Sequence, residues 1–190
     1  NTQPAEVVRF ADLAEKNSAI ILNNFNNFLS LLSNNGKDFF KKSLEHKKLL
    51  PFFDELLQSF KGSAFIRNIG IHYKFNFTNS LAIDFDYEKL YKIVSNLITN
   101  AIKYSNEKSN IYVDVIVEEE KLIIHIKDEG IGIGNDEQKL VFNRFYQSKK
   151  HKISGGFGIG LSLVKELTQI LGGTIQLESK ENVGSIFMLE

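Results

Sequence analysis

An α/β two-layer sandwich, with a mixed sheet carrying helices on one face and a long helix in front of it, is the fold this sequence predicts. Three observations lead there. From residue 71 onward, stretches of period two alternate with stretches of helical period, the pattern of strands interleaved with amphipathic helices. Glycine clusters punctuate these stretches at 130–134, 155–160 and 172–173. The first 32 residues instead carry a seven-residue apolar repeat.

Taken in order, Pro4 to about Leu32 reads as one helix, with proline at a first-turn position. Val7, Ala14, Ile21 and Phe28 recur every seven residues, and Phe10, Phe25, Leu29 and Leu32 widen the stripe. Asn17 and Asn24 interrupt the second seam position, so the coiled-coil pattern is imperfect. Such a stripe asks for a partner helix, in this chain or another, the alternative being a helix packed on its own domain. Asn34-Asn35-Gly36 stops it.

Asp38 to Leu44 reads as a short strand. A helix follows with Pro51 near its start and Phe53, Leu56, Leu57, Phe60 and Ala64 on one face. Ile71 to Phe77 alternates as a strand, Thr78-Asn79-Ser80 turns the chain, and Leu81 to Phe85 is a second short strand. Asp86 caps a helix to about Tyr104, whose apolar positions are Leu90, Ile93, Val94, Leu97, Ile98, Ala101 and Ile102. The strands Asn110 to Glu118 and Lys121 to Lys127 are joined by an acidic turn. Asp136 to Phe142 reads as one or two helical turns, and Gln147 to Phe157 as a polar, basic loop. Gly158 to Leu171 is a helix that Gly172-Gly173 ends. Thr174 to Ser179 and Ser185 to Leu189 form a closing hairpin.

Composition narrows the function. With 190 residues the chain fits one domain, or a domain plus an appendage. Basic and acidic residues balance at 23 each, which argues against nucleic acid as a partner. Cysteine is absent, which excludes disulfides and thiolate metal sites. No apolar run approaches the roughly 20 residues of a membrane span. The first residue is Asn1 rather than Met, which points to a piece of a longer protein.

Three clusters carry chemistry. Asn96, Asn100 and Lys103 are spaced by four and three residues and so share one helix face. Asparagine is a poor helix former, while its amide oxygen suits Mg²⁺ and a lysine ammonium suits phosphate. In the second cluster the strand ending on Asp128 runs into Gly130, Ile131, Gly132, Ile133 and Gly134. A carboxylate there can accept from a ligand N–H, and the glycines allow close approach to the main chain. In the third, Gly155-Gly156-Phe157-Gly158-Ile159-Gly160-Leu161 opens a helix, where unpaired N–H groups and the dipole favour phosphate.

In this order the clusters resemble the ATP-binding domain of sensor histidine kinases, in the superfamily shared with gyrase, Hsp90 and MutL. Asn96-Leu-Ile-Thr-Asn100-Ala-Ile-Lys103-Tyr104-Ser105 is similar to the N box, and Asp128-Glu-Gly130-Ile-Gly132-Ile133 to the G1 box. Val141-Phe142-Asn143-Arg144-Phe145-Tyr146 is similar to the F box, and Gly156-Phe-Gly158-Ile159-Gly160-Leu161 to the G2 box. The resemblance covers about residues 70 to 190 and implies a Bergerat-type fold. It implies that Asp128 accepts from the adenine amine, with Gly130, Gly132 and Ile133 beside the base. It further implies Asn96 and Asn100 as Mg²⁺ ligands, and Lys103, Tyr104, Phe145, Gly156, Gly158, Ile159, Gly160 and Leu161 as nucleotide-site residues, with residues 143 to 157 as an ATP lid. In the hydrolase branches a glutamate stands at the place of Asn96; an amide cannot take a proton, so the chemistry implied is phosphoryl transfer to a histidine.

The N-terminal part is similar to the second helix of a kinase dimerisation hairpin. The domains expected are therefore residues 1–36, half of that hairpin, and residues 37–190, a linker followed by the catalytic domain with its boxes within 86–161. The family resemblance implies a homodimer through the N-terminal helix. It also implies a response-regulator receiver domain as partner, and a cytoplasmic position in a sensor anchored to the membrane elsewhere. His46 lacks the family's phosphoacceptor pattern and reads as a surface residue. His72 and His125 fall in strands and His151 in the lid. Gln147 stands where many family members carry arginine, with Lys149, Lys150 or Lys152 able to supply charge. The alternatives are a degenerate kinase domain serving as a nucleotide-gated interaction module, and a hydrolase, against which Asn96 argues.

Overall fold

The computed structural model describes residues 41–148 and 157–190, all within the compact unit Phe40–Glu190. The helix expected from Pro4 to Leu32 and the domain 1–36 lie outside the described residues, as do residues 149–156 of the expected lid with Lys149, Lys150, His151, Lys152 and Gly156. In chain order the elements are β1 (Leu44–Lys48), α1 (Leu49–Ile66), β2 (Gly70–Phe75), β3 (Ala82–Asp86), α2 (Tyr87–Tyr104), β4 (Asn110–Glu118), β5 (Lys121–Asp128), α3 (Gly160–Leu171), β6 (Ile175–Lys180) and β7 (Gly184–Leu189).

Five strands form one mixed sheet in the order β2-β4-β5-β7-β6. The β2–β4 pair is parallel and the others are antiparallel. Alternation along the strands sends Ile111, Val113, Val115, Ile124, Ile126 and Phe187 into the core. Their neighbours Tyr112, Asp114, His125 and Lys127 stay half-buried or exposed on the other face. Leu90, Ile93, Val94, Leu97 and Ile98 of α2 and Leu163, Val164 and Leu167 of α3 bury the helical side of that core. Each such side chain contributes roughly 1.5–3 kcal/mol by leaving water. Two layers result, as the alternation of periods predicts.

Asp86 caps α2 as expected: its carboxylate accepts from the Lys89 N–H at 3.0 Å and from the Lys89 Nζ at 2.8 Å. Three expectations change. Of the strand placed at Asp38–Leu44, residues 38–40 lie outside the described residues and 41–43 are not strand; a strand runs over Leu44–Lys48, and α1 follows it directly. That strand pairs with β3 in a separate two-stranded ribbon, from Leu44↔Asp86 to Lys48↔Ala82, so β3 does not join the mixed sheet. All five β1 residues are exposed, so the ladder and not an apolar face defines the strand. Phe52 of α1 holds the ribbon through edge contacts with Phe85 at 5.2 Å and Tyr87 at 5.0 Å.

The one or two helical turns expected over 136–142 are there as isolated turns that do not join into a helix: Gly134 O accepts from Glu137 and Gln138, Glu137 O from Leu140 and Val141, and Leu140 O from Asn143. So short a segment cannot offset the cost of helix nucleation. The helix expected from Gly158 begins at Gly160, because Gly158 has φ +69° and cannot join a right-handed helix. His46 is exposed, with Nδ1 2.7 Å from Asp84 Oδ1. His72 is exposed and His125 half-buried, neither of them in the core.

Candidate functional site

The C-terminal half of α2 is the frame of the site. Its apolar stripe is buried, which leaves Asn96, Asn100, Lys103 and Tyr104 half-buried at the margin. The Asn96 amide donates through Nδ2 to Lys92 O at 2.7 Å. Its Oδ1 meets the start of α3: a Cβ on Gly160 would lie 3.0 Å from that oxygen and 4.0 Å from Asn100 Nδ2. The fold thus brings the two asparagines to the first turn of α3, with only a glycine between. That turn has no side-chain cap, and first-turn N–H groups have no partner within their own helix. Gly158 closes the approach. A Cβ there would lie 2.4 Å from Tyr146 O, and Gly158 O accepts from the Phe145 N–H at 2.8 Å.

The Asp128 corner lies against the C-terminal end of α2. Asp128 is 5% exposed, and its Oδ1 accepts from the Gly130 N–H at 2.9 Å. Gly130 bridges Ser105, and a Cβ on it would meet Tyr104 O at 2.3 Å. Tyr104 O also accepts from the Ile131 N–H at 3.1 Å. The loop is fixed on its far side too: Asn182 N donates to Ile131 O at 2.7 Å and Ile133 N to Ser179 Oγ at 2.8 Å. Gln138 Nε2 donates to Ile133 O at 3.0 Å and Ser179 O at 2.8 Å. Burial raises the Asp128 carboxyl to about 6, opposed by the N–H of Gly130 and by Ser185. The Lys103 Nζ lies 5.1 Å from the centre of the Tyr104 ring, a cation–π contact.

Not every expected residue converges. The Phe145 side chain is 61% exposed, and only its backbone N–H ties it to Gly158. Ile159 is buried in the core at 5% exposure, while Leu161 and Ile133 are half-buried. Glu137 is a residue the sequence hides. It is 8% exposed and accepts from Tyr146 OH at 2.7 Å and Ser148 Oγ at 3.0 Å, so it anchors the end of the segment leading out of the Phe145 turn. Burial and this bond raise the Tyr146 phenol to about 12. In a polar stretch Glu137 looks like a solvated residue; only the fold buries it.

A cavity of about 990 Å³ opens at the opposite end of α2, between Phe85, Leu90, Ile124, Leu171 and Leu189. It contains none of the expected site residues and is mainly apolar, so it is not the candidate site. Among the described residues no group of three or more His, Asp or Glu could hold a metal ion. Near Gly160 the Asn96 amide presents its oxygen and the Asn100 amide its nitrogen; an amide oxygen is a donor that fits a Mg²⁺ ion completed by phosphate oxygens.

The family model for "Histidine kinase-, DNA gyrase B-, and HSP90-like ATPase" matches residues 85–190. Sensor histidine kinase WalK of Bacillus subtilis (strain 168) is 32% identical over 186 residues, covering 93% of this chain and 29% of WalK. Full-length ShkA in complex with AMPPNP aligns with TM-score 0.78 at 19% identity, over 100% of this chain and 39% of that one. Histidine kinase ThkA in complex with response regulator protein TrrA aligns with TM-score 0.71 at 16% identity, over 100% of this chain and 52% of that one. At these identities the two structures show the fold alone. The chain spans 29% of WalK and 13% of Histidine kinase P4 of Formosa agariphila, less than a third of either relative.

Proposed function

Since this chain belongs to the histidine kinase-, DNA gyrase B- and HSP90-like ATPase family and carries the ATP-binding catalytic domain of a sensor histidine kinase, we propose that it binds Mg·ATP at the α2–α3 junction. In this reading it directs the γ-phosphoryl group to a histidine, and from there to an aspartate on a response regulator. The observation that carries it is the meeting of Asn96 and Asn100 with Gly160 at the first turn of α3, on the same helix α2 whose end at Tyr104 packs against Gly130, the partner of the buried Asp128.

In this reading the Asp128 carboxylate accepts from the adenine amine, and Gly130 and Gly132 let the base lie on the loop. Asn96 and Asn100 would hold Mg²⁺ through their amide oxygens, Asn100 by turning its amide over from the orientation with Nδ2 toward Gly160, and the ion would neutralise phosphate charge. Lys103 and the first N–H groups of α3 face the phosphates. Such a site works by positioning and charge neutralisation, as phosphoryl transfer requires. Asn96 orients without taking a proton, so water at the γ-phosphate is not activated. On this reading the sequence of residues 1–36, with its seven-residue stripe, serves dimerisation, and residues 37–190 are the linker and catalytic domain. The whole protein is a homodimeric sensor with this portion in the cytoplasm and a membrane anchor elsewhere. No helix among the described residues is long and apolar enough to cross a membrane.

The test supplies the chain with labelled ATP, Mg²⁺ and a separate acceptor-histidine domain. Acid-labile phosphate is expected on the acceptor, and Asn100→Ala is expected to reduce transfer by more than about 100-fold, equivalent to about 2.7 kcal/mol. Rapid ATP turnover without acceptor, abolished by Asn96→Ala, would contradict the kinase assignment.

A further inference from the structure

Arg67, the C-cap of α1, lies outside the matched residues 85–190 and belongs to none of the motifs. Its guanidinium nevertheless gathers the end of α2. Nη1 donates to Ile102 O and to Lys103 O, the latter at 2.8 Å, and Nη2 donates to Ser105 O at 3.1 Å. The last carbonyls of a helix have no donors within it, and a cation there complements the dipole. The rigid fork of a guanidinium can hold several at once, which an ammonium cannot.

These three carbonyls bracket Tyr104. The Tyr104 carbonyl itself accepts from the Ile131 N–H at 3.1 Å and packs against Gly130, whose N–H binds Asp128. One arginine therefore connects α1 to the corner that carries Lys103, Tyr104 and Asp128. The anchor of that arginine is firm, because Leu56, Leu57 and Ala64 bury α1 in the core.

We propose that Arg67 is a positioning residue for nucleotide binding, holding the Lys103–Ser105 corner so that Tyr104 keeps the Gly130–Ile131 segment and Asp128 in binding geometry. This rests on the nucleotide reading of the site. Removing the fork frees the corner without removing any group that touches the nucleotide.

The test compares Arg67→Met, Arg67→Lys and, as a core control in the same helix, Leu57→Val. Amide exchange of Ile131 is measured against that of Ile126, inside the central strand, without nucleotide. Affinity for a non-hydrolysable ATP analogue with Mg²⁺ is measured beside it. In Arg67→Met, Ile131 exchange is expected to rise at least about tenfold more than Ile126 exchange, with affinity about tenfold weaker. Arg67→Lys should fall between Arg67→Met and the parent. Leu57→Val should move both amides together and keep affinity within about twofold. The proposal is overturned if Ile131 exchange in Arg67→Met tracks Ile126, or if affinity falls no more than in Leu57→Val. A parent that binds no analogue removes the nucleotide reading, while the exchange ratio still decides whether Arg67 holds the corner.

Discussion

Asp128→Asn is expected to raise the melting temperature of the nucleotide-free protein while removing most of its nucleotide affinity. Burial at 5% exposure raises the carboxyl from 3.8 to about 6, so the charged form is disfavoured by the fold at neutral pH. A shift of this size corresponds to at most about 3 kcal/mol. An amide keeps an oxygen for the Gly130 N–H and carries no charge, so we expect a gain of about 1–3 kcal/mol. At roughly 2–4 °C per kcal/mol for a chain of this size, thermal unfolding resolves it.

The pH dependence follows. The folded protein binds the extra proton between the unfolded and folded pKa values. The contribution of Asp128 to stability is therefore full below about 4 and lost as pH rises through about 6; the variant lacks this component. Affinity runs in the opposite direction. In the proposed site the carboxylate accepts from an amine, so binding weakens as pH falls through about 6. An amide can turn its own N–H₂ toward that amine, and more than about 100-fold in affinity is expected to go.

Gly184→Ala and Gly132→Ala are expected to cost about 3–5 kcal/mol each, measured by urea unfolding. Gly132 has φ +64°, and a Cβ on it would lie 2.0 Å from Lys180 O. Gly184 has φ +131°, and its Cβ would lie 2.0 Å from Asp128 O. The left-handed conformation alone costs a side-chain-bearing residue about 1–2 kcal/mol. The rest comes from moving backbone that is already committed. At Gly132 that is the turn whose Asn182 N–H binds Ile131 O; at Gly184 it is the Asp128↔Ser185 ladder. Gly62, with nothing within 4 Å of its Cβ position, supplies the opposite sign. It lies within α1, and Gly62→Ala is expected to gain about 0.5–1 kcal/mol.

The features legible in the sequence are those encoded by neighbours along the chain. The helical stripe from Leu90 to Ile102 and the Asp86 cap place α2 within a residue of its observed ends. A strand ending on Asp128 before three glycines marks the corner that the fold closes onto Tyr104. Asn96 and Asn100 stand out because asparagine is costly in a helix. What stayed hidden depends on partners distant in sequence. The β1 strand is wholly exposed and becomes a strand only through its ladder with β3. Arg67 reaches carbonyls 35 to 38 positions away. Gly184 reads as an ordinary turn glycine until the sheet brings it against Asp128 O. The 136–142 segment has helix-compatible residues, yet its short length and the anchored side chains of Glu137 and Gln138 keep it as turns.

The most direct test of the nucleotide site is a calorimetric titration of this chain with non-hydrolysable ATP and GTP analogues, each with Mg²⁺. A buried carboxylate that accepts from the exocyclic amine of adenine meets an acceptor carbonyl at the same place in guanine, and unlike partners there are costly. The expected result is one site for the ATP analogue, with binding at least about 100-fold weaker for the GTP analogue. Equal affinity for the two, or no binding of either, would contradict the role assigned to Asp128 and with it the proposed site.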